Sequence, residues 1–211
     1  VSALLYFTDV LPLSLLGETL FEGMDAFALL AVPLFILTGD ALVRTGLSNK
    51  LLSVAEATAG SFRSGFGTST VLGCGFFSCI SGSDAAGCAS VGRMTIDRLV
   101  TSGYPRAYAA ALVASGACTG ILIPPSIAYI VIGLVLGVST ATLFVAAVIP
   151  GTLILVSIML TNVFMNRRRN YENAGKAFSF ARWVEAIWDG RFALTIPFII
   201  LGGIYSGIFT P

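Results

Sequence analysis

An all-α, polytopic membrane protein is the fold class this sequence predicts, and three observations predict it. Hydrophobic residues fill 56% of the 211 positions, charged residues fill only 11%, and the apolar residues gather into long runs with nothing soluble between them. Soluble domains carry about 25% charged residues. One core of this size cannot bury so much apolar surface, whereas a bilayer takes it up in units of about 20 residues. The same composition excludes a disordered chain, a disulfide-stapled secreted domain and a coiled coil.

The apolar stretches fall at about 1–8, 25–43, 64–103, 107–137, 140–166 and 192–209. The first reads as the tail of a helix begun upstream, and a chain that opens at Val1 and closes at Pro211 is expected to be part of a longer protein. The stretch 25–43 stops at Thr45-Gly46, and SNKLLSVAEATAGS over about 48–61 predicts a surface helix. In 64–103 the basic flanks Arg63 and Arg98 favour the same side of the membrane, and midway the turn composition Ser81-Gly82-Ser83-Asp84 interrupts the run. This predicts a re-entrant helical hairpin with its tip near the membrane middle, because non-helical backbone survives at that depth only when buried in protein or lining a polar cavity. In 107–137, Gly116, Gly120, Pro124 and Pro125 predict a discontinuous helix that unwinds over Gly120–Ser126, since each proline removes a donor and disfavours helix in the residue before it. Over 167–190 the apolar Phe180, Val184, Ile187 and Trp188 share one helical face, which predicts a cytoplasmic surface helix with Trp183 and Trp188 at the headgroups. The domain organisation expected is one integral membrane region over 1–211.

With these elements threaded through the bilayer, all twelve Lys and Arg residues fall on one side, while Asp9, Glu18, Glu22 and Asp25 fall on the other. The positive-inside bias makes the basic side cytoplasmic. The GxxxG spacings at Gly116/Gly120, Gly133/Gly137 and Gly203/Gly207 predict close helix packing.

A hairpin tip and a broken helix at similar depth are the parts from which secondary transporters build sites, with helix amino ends facing anions and unwound carbonyls holding a cation. Ser81, Gly82, Ser83 and Asp84 supply hydroxyl, carbonyl and carboxylate oxygens, which hard cations prefer. Gly120, Ile123 and Pro124 add carbonyls freed by the break, and together these seven residues are the candidate cation ligands. Ser83, Asp84, Pro125 and Ser126 are the candidate substrate contacts. No Lys or Arg is expected at the membrane centre, so an anion there needs helix dipoles, backbone N–H groups and a co-bound cation. Asp84 has two readings: a cation or proton ligand, or a cap that accepts amides two or three residues further on. Asp40 lies late in its helix and fits the cytoplasmic interface.

Absences narrow the chemistry. The chain has no His, its four Cys form no CxxC pair, and no GxxxxGK[ST] motif occurs, so no enzymatic activity and no cofactor is expected. Ser81 or Ser83 as a nucleophile lacks an activating base. Nucleic acid is not an expected partner; the bilayer is.

The phrases FALLAVPLFILTGDAL, FFSCISGSDAAGCASVG, SGYPRAYAAALVASGACTGILIPPSIAYIVIG, TLFVAAVIPG and ILGGIYSGIFTP occur in this order along the chain. Together they resemble the large membrane subunit (DctM-like) of the tripartite ATP-independent periplasmic, or TRAP, transporters. The resemblance implies the first repeat of an inverted-repeat permease of the ion-transporter superfamily. It further implies Na⁺ as coupling ion, an elevator-type motion, and import of small organic solutes of carboxylate type. Implied partners are a periplasmic solute-binding protein and a small four-helix (DctQ-like) membrane subunit, in the bacterial inner membrane. The family's first hairpin then corresponds to about 64–103 and its Pro-Pro-Ser phrase to the break at Gly120–Ser126. Members of that family commonly carry Ser or Thr where this chain has Asp84. The alternatives are a related anion transporter that needs no binding protein and a membrane scaffold that transports nothing.

Overall fold

The computed structural model describes residues 17–18, 21, 27–61, 64–172, 179–206 and 208, and among them every regular element is helical. A 3₁₀ turn at Phe27–Leu30 leads into α1 (Ala31–Arg44), followed by α2 (Leu47–Ala59), α3 (Gly65–Ser81) and α4 (Asp84–Thr101). Then come α5 (Arg106–Ala117), the single turn α6 (Thr119–Leu122), α7 (Ile127–Leu136), α8 (Thr140–Arg169) and α9 (Phe180–Tyr205). The expected helix over 1–8, and the charges at Asp9, Glu22, Asp25, Arg63 and Lys176, lie outside the described residues.

Three stretches are long and apolar enough to cross a membrane: Arg106–Leu136, Thr140–Arg169 and Phe180–Tyr205. A fourth is possible if α1 and α2, bent by 76° at Thr45–Gly46, form one broken span. The bend is made by Gly46, whose φ of 74° is a left-handed conformation that glycine adopts without strain. Large apolar side chains on the outer faces, among them Leu34, Val135, Ile149, Leu153 and Phe198, are exposed. A surface of this kind suits hydrocarbon rather than water.

The arm α3 is the axis of the molecule. Its sequence, GFGTSTVLGCGFFSCIS, is mostly small, so neighbours approach its backbone on several sides. Gly73 meets Leu52 of α2, Gly75 meets Leu155 of α8, and Val71 and Cys74 lie against Gly116 of α5. Its hydroxyls return to its own carbonyls, Thr70 Oγ1 to Phe66 O at 2.9 Å and Ser78 Oγ to Cys74 O at 2.7 Å. The hydroxyls of an otherwise apolar helix are thereby made compatible with burial. Phe77, Ile80, Val91, Leu99 and Val113 fill the fully buried space around it.

The α8 helix runs antiparallel to α3 over Gly67–Gly75 and reaches α6 beyond it. Asn162 lies beside Gly67, Leu155 beside Gly75, and Gly151 against the Leu122 carbonyl near the far end. A second antiparallel pair joins α2 to the start of α9. Trp183 Nε1 donates to Thr58 Oγ1 at 3.2 Å, Lys50 pairs with Asp189, and Gly190 packs on Val54.

The surface helix expected over 167–190 is not a separate element. Arg167–Arg169 complete α8, and Phe180–Asp189 begin a helix that continues unbroken to Tyr205. Asp189, Gly190 and Arg191 stand at the expected boundary. A single glycine costs a helix about 1 kcal/mol relative to Ala, too little to stop one that is packed on α2 at that point. The surface helix expected over 48–61 is helical, as α2, but it is packed between α3 and α9, with Leu51, Leu52, Val54, Ala55 and Ala59 buried.

Candidate functional site

The two backbone interruptions meet. Helix α3 ends at Ser81 and α4 begins at Asp84, so Gly82 and Ser83 alone make the turn. Gly82 has φ of 60°, and its carbonyl accepts the Ile127 amide of α7 at 3.4 Å. An added Cβ at Gly82 would stand 2.7 Å from the Pro125 carbonyl oxygen. Only a residue without a side chain fits between the tip and the break. On the other side, a Cβ at Gly120 would stand 2.9 Å from the Asp84 amide nitrogen and 3.0 Å from the Ser83 carbonyl carbon. The tip is thus seated between α6 and the amino end of α7.

Burial follows from this seating. Ser81, Gly82, Gly120, Pro124, Pro125 and Ser126 are buried, and Ser83, Asp84 and Ile123 are half-buried. All nine residues predicted from the sequence lie in this one region or directly flank it. The unwound segment is shorter than expected, however. Thr119–Leu122 keeps a helical turn, closed by the Ile123 amide on the Thr119 carbonyl at 2.8 Å, and the break is confined to Ile123–Ser126. Proline restricts the residue immediately before it, so the disruption reaches Ile123 and goes no further back. Gly120 therefore serves as the close-approach point for the tip rather than as part of the unwound backbone. The Pro124–Pro125 peptide bond is cis.

The capping roles also differ from one of the two readings of Asp84. Ser83 is the N-cap of α4, its Oγ accepting the Ala86 amide at 3.4 Å. Asp84 is the first helical residue, and its Oδ1 accepts only the next amide, Ala85, at 2.8 Å. Serine holds extended backbone (φ −134°, ψ 123°) and thereby reaches three residues ahead, which a side chain already on the helix cannot do. One Asp84 oxygen therefore carries no capping bond.

Ser126 caps α7 by position but not by contact. Its backbone is extended (φ −128°, ψ 129°), its side chain makes no capping bond, and Oγ is buried without a hydrogen-bond partner. A buried hydroxyl left unpaired is costly. Two helix amino ends, those of α4 and α7, meet at this region and each carries partial positive charge, while the Ala85 and Ala86 amides of α4 are taken by Asp84 and Ser83 and the Ile127 amide of α7 by Gly82. Among the described residues no cluster of three His, Cys, Asp or Glu side chains is placed to hold a metal. A cation here would depend on carbonyls, hydroxyls and the Asp84 carboxylate.

Asp40 forms an exposed 2.6 Å pair with Arg44. Of the GxxxG positions, Gly116 packs on Cys74 and Gly133 on Thr140, while Gly207 lies outside the described residues.

Sequence reasoning missed three participants. Gly39 of α1 closes on the Ser81 side chain and Gly151 of α8 closes on the Leu122 carbonyl. Both lie in apolar runs where glycine signals little by itself, although Gly151 follows Pro150. The third is Glu172, which lies at the opposite end of the hairpin. Its Oε1 accepts the Phe66 amide at 3.0 Å, and its Oε2 accepts the Tyr104 hydroxyl at 3.0 Å and the Gly67 amide at 3.5 Å. Burial, then the neighbouring Glu172 carboxylate, push the Tyr104 phenol well above its ordinary range, so the hydroxyl stays a donor.

Fold and site together define an all-α, polytopic membrane protein built around an interrupted hairpin seated on an interrupted span. The family model described as "Tripartite ATP-independent periplasmic transporter, DctM component" matches residues 1–211, and the chain belongs to this family. It is 38% identical over 196 residues to the C4-dicarboxylate TRAP transporter large permease protein DctM of Pseudomonas aeruginosa, covering 93% of this chain and 46% of that protein. Identity to the 2,3-diketo-L-gulonate TRAP transporter large permease protein YiaN of Escherichia coli is 35% over 210 residues, covering 100% of this chain and 49% of that protein. Identity to the isethionate TRAP transporter permease protein DctMQ of Oleidesulfovibrio alaskensis is 34% over 201 residues, covering 95% and 32%. The chain spans a third to a half of the length of these relatives.

Proposed function

We propose that this chain is the hairpin-bearing half of a large permease subunit that imports small organic anions, driven by a sodium gradient through an elevator-type motion. The observation that carries the reading is the bond from Ile127 N–H to the Gly82 carbonyl, which sets tip and break side by side. Na⁺ is held by carbonyls and hydroxyls of Ser81, Gly82, Ser83, Gly120, Ile123 and Pro124, with Asp84 as an additional anionic ligand. The substrate carboxylate faces the amino ends of α4 and α7, with Ser83, Asp84, Pro125 and Ser126 in reach. Ser126 Oγ, unpartnered without ligand, gains a partner on loading. Coupling has an electrostatic cause: Asp84 repels an anion, and the bound cation removes that repulsion.

Relatives are named for C4-dicarboxylates, 2,3-diketo-L-gulonate, isethionate, sialic acid and ectoine, each of which carries a carboxylate or sulfonate group. That shared acidic group supports a substrate of this type here. In this reading a periplasmic binding protein delivers the solute and a DctQ-like four-helix subunit completes the complex in the bacterial inner membrane; the fused name DctMQ of one relative supports the second partner.

Uptake by the full-length permease, reconstituted with binding protein and small subunit, tests the proposal. Uptake is expected to follow an inward sodium gradient and to vanish when potassium replaces sodium. Gradient-independent accumulation would refute sodium coupling. Full uptake without the binding protein would favour a self-sufficient anion transporter, and no uptake of any organic anion would favour a scaffold.

A further inference from the structure

The base of the hairpin, about 25 Å from its tip for a 17-residue helix, is held by residues outside the candidate site. After α8 the chain reverses at Asn170, whose φ is 50°, and Asn166 clasps the backbone of residue 172 by both groups. Asn166 Oδ1 accepts the Glu172 amide at 2.8 Å, and Asn166 Nδ2 donates to the Glu172 carbonyl at 3.1 Å. The Glu172 side chain then caps the first turn of α3 from outside, a role that Ser64, at the N-cap position, leaves open because it makes no side-chain cap. Tyr104 Oη adds a third donor to the carboxylate. One turn further in, Asn162 Nδ2 donates to Thr68 Oγ1 at 3.3 Å and Asn162 Oδ1 accepts the Tyr108 hydroxyl at 3.2 Å. Asn162 and Asn166 are both completely or almost completely buried.

We infer that Glu172 is a positioning residue for the cation and substrate site: it latches α8 to the hairpin base, so that α8 braces the hairpin from its base to Gly75 and bears on the broken span beside the tip. This rests on the proposed function for what the site binds. The lever is readable from the contacts. Gly75, where Leu155 bears on α3, lies nine residues from Phe66 and seven from Gly82. At 1.5 Å per residue the arms are about 14 Å and about 10 Å. A tilt about Gly75 therefore moves the tip by about three quarters of the displacement at the base. Gly151 holds the break from the same helix, through the Leu122 carbonyl. Releasing the base frees the tip relative to the break while leaving every site residue in place.

The test uses full-length permease in three forms, Glu172→Ala, Glu172→Gln and Tyr104→Phe, read by hydrogen exchange and by sodium-dependent uptake. In Glu172→Ala, the Phe66–Thr68 amides should exchange about tenfold faster, as loss of a cap allows. The Gly82–Ala86 amides should also exchange faster, and half-saturating sodium should rise about fivefold or more. Glu172→Gln keeps an acceptor for the Phe66 amide and should stay within about twofold of wild type. Tyr104→Phe removes one donor only and supplies an intermediate case should the alanine variant fail to fold. Faster exchange at the base alone, with tip exchange and half-saturating sodium unchanged, would make Glu172 a helix cap and overturn the inference, as would no change at all. Sodium-independent uptake by the wild type would instead sink the proposed function, and tip exchange would still decide the latch.

Discussion

Replacing Gly82 by alanine separates two costs that the structure lets one calculate independently. The first is conformational: an L-residue in the left-handed region costs about 1–2 kcal/mol. The second is local. The new Cβ would stand 2.7 Å from the Pro125 carbonyl oxygen and 3.3 Å from the Ile127 nitrogen, so the tip must back away and stretch a hydrogen bond that is already 3.4 Å long. Losing that bond and its close packing costs about 1–2 kcal/mol more. Gly137 is the internal control. It ends α7 with φ of 65°, yet nothing lies within 4 Å of where its Cβ would stand. Gly137→Ala should therefore carry the conformational cost alone. In thermal melts of the full-length protein, Gly82→Ala should unfold below Gly137→Ala, and both below wild type. In sodium titrations of uptake, backing the tip away from the break displaces the candidate ligand oxygens, so half-saturating sodium should rise in Gly82→Ala, by at most the roughly 5- to 30-fold that about 1–2 kcal/mol allows, and stay unchanged in Gly137→Ala. If the two variants match in both assays, the tip does not bear on the break and the reasoning fails.

Two further outcomes follow from other features. Ser126→Ala removes a buried hydroxyl that has no partner, so its melting temperature without sodium or substrate should equal or exceed that of wild type, while the stabilisation gained on adding sodium with substrate shrinks; a drop in the ligand-free melt would show that Oγ is already paired. A single cysteine at Arg168 should be labelled by an impermeant thiol reagent only from the cytoplasmic face, because the exposed Arg167–Arg169 run ends α8; labelling from outside intact spheroplasts would invert the orientation.

Much of the site was legible because its residues break a pattern. Pro124-Pro125 cannot continue a helix, and Ser81-Gly82-Ser83-Asp84 is turn composition inside an apolar run, so local chemistry marks both interruptions. What local chemistry cannot mark is the partner across the gap. Gly39 and Gly151 matter through the backbone each touches, and their neighbours in sequence do not differ from those of any packing glycine. The division of labour between Ser83 and Asp84 turned on one residue of helix phase, which composition does not resolve. Glu172 was hidden for a related reason: within RRRNYENAG it reads as one more polar residue of a surface segment, and only the chain reversal at Asn170 carries it onto the amino end of α3, 106 residues away from Phe66 in sequence. The continuous α9 was misjudged because the change from polar to apolar composition near residue 190 was read as an element boundary, whereas the helix runs through it.

The central claim is that tip and break together hold a cation, and imaging the full-length permease by electron cryo-microscopy in sodium and in potassium tests it most directly. With sodium present, a density peak should stand among the oxygens of Ser81–Asp84 and Gly120–Pro124, with Gly82 still against Ile127. A tip drawn away from Ile127 in sodium, or oxygens at that place with no ion among them, would contradict it.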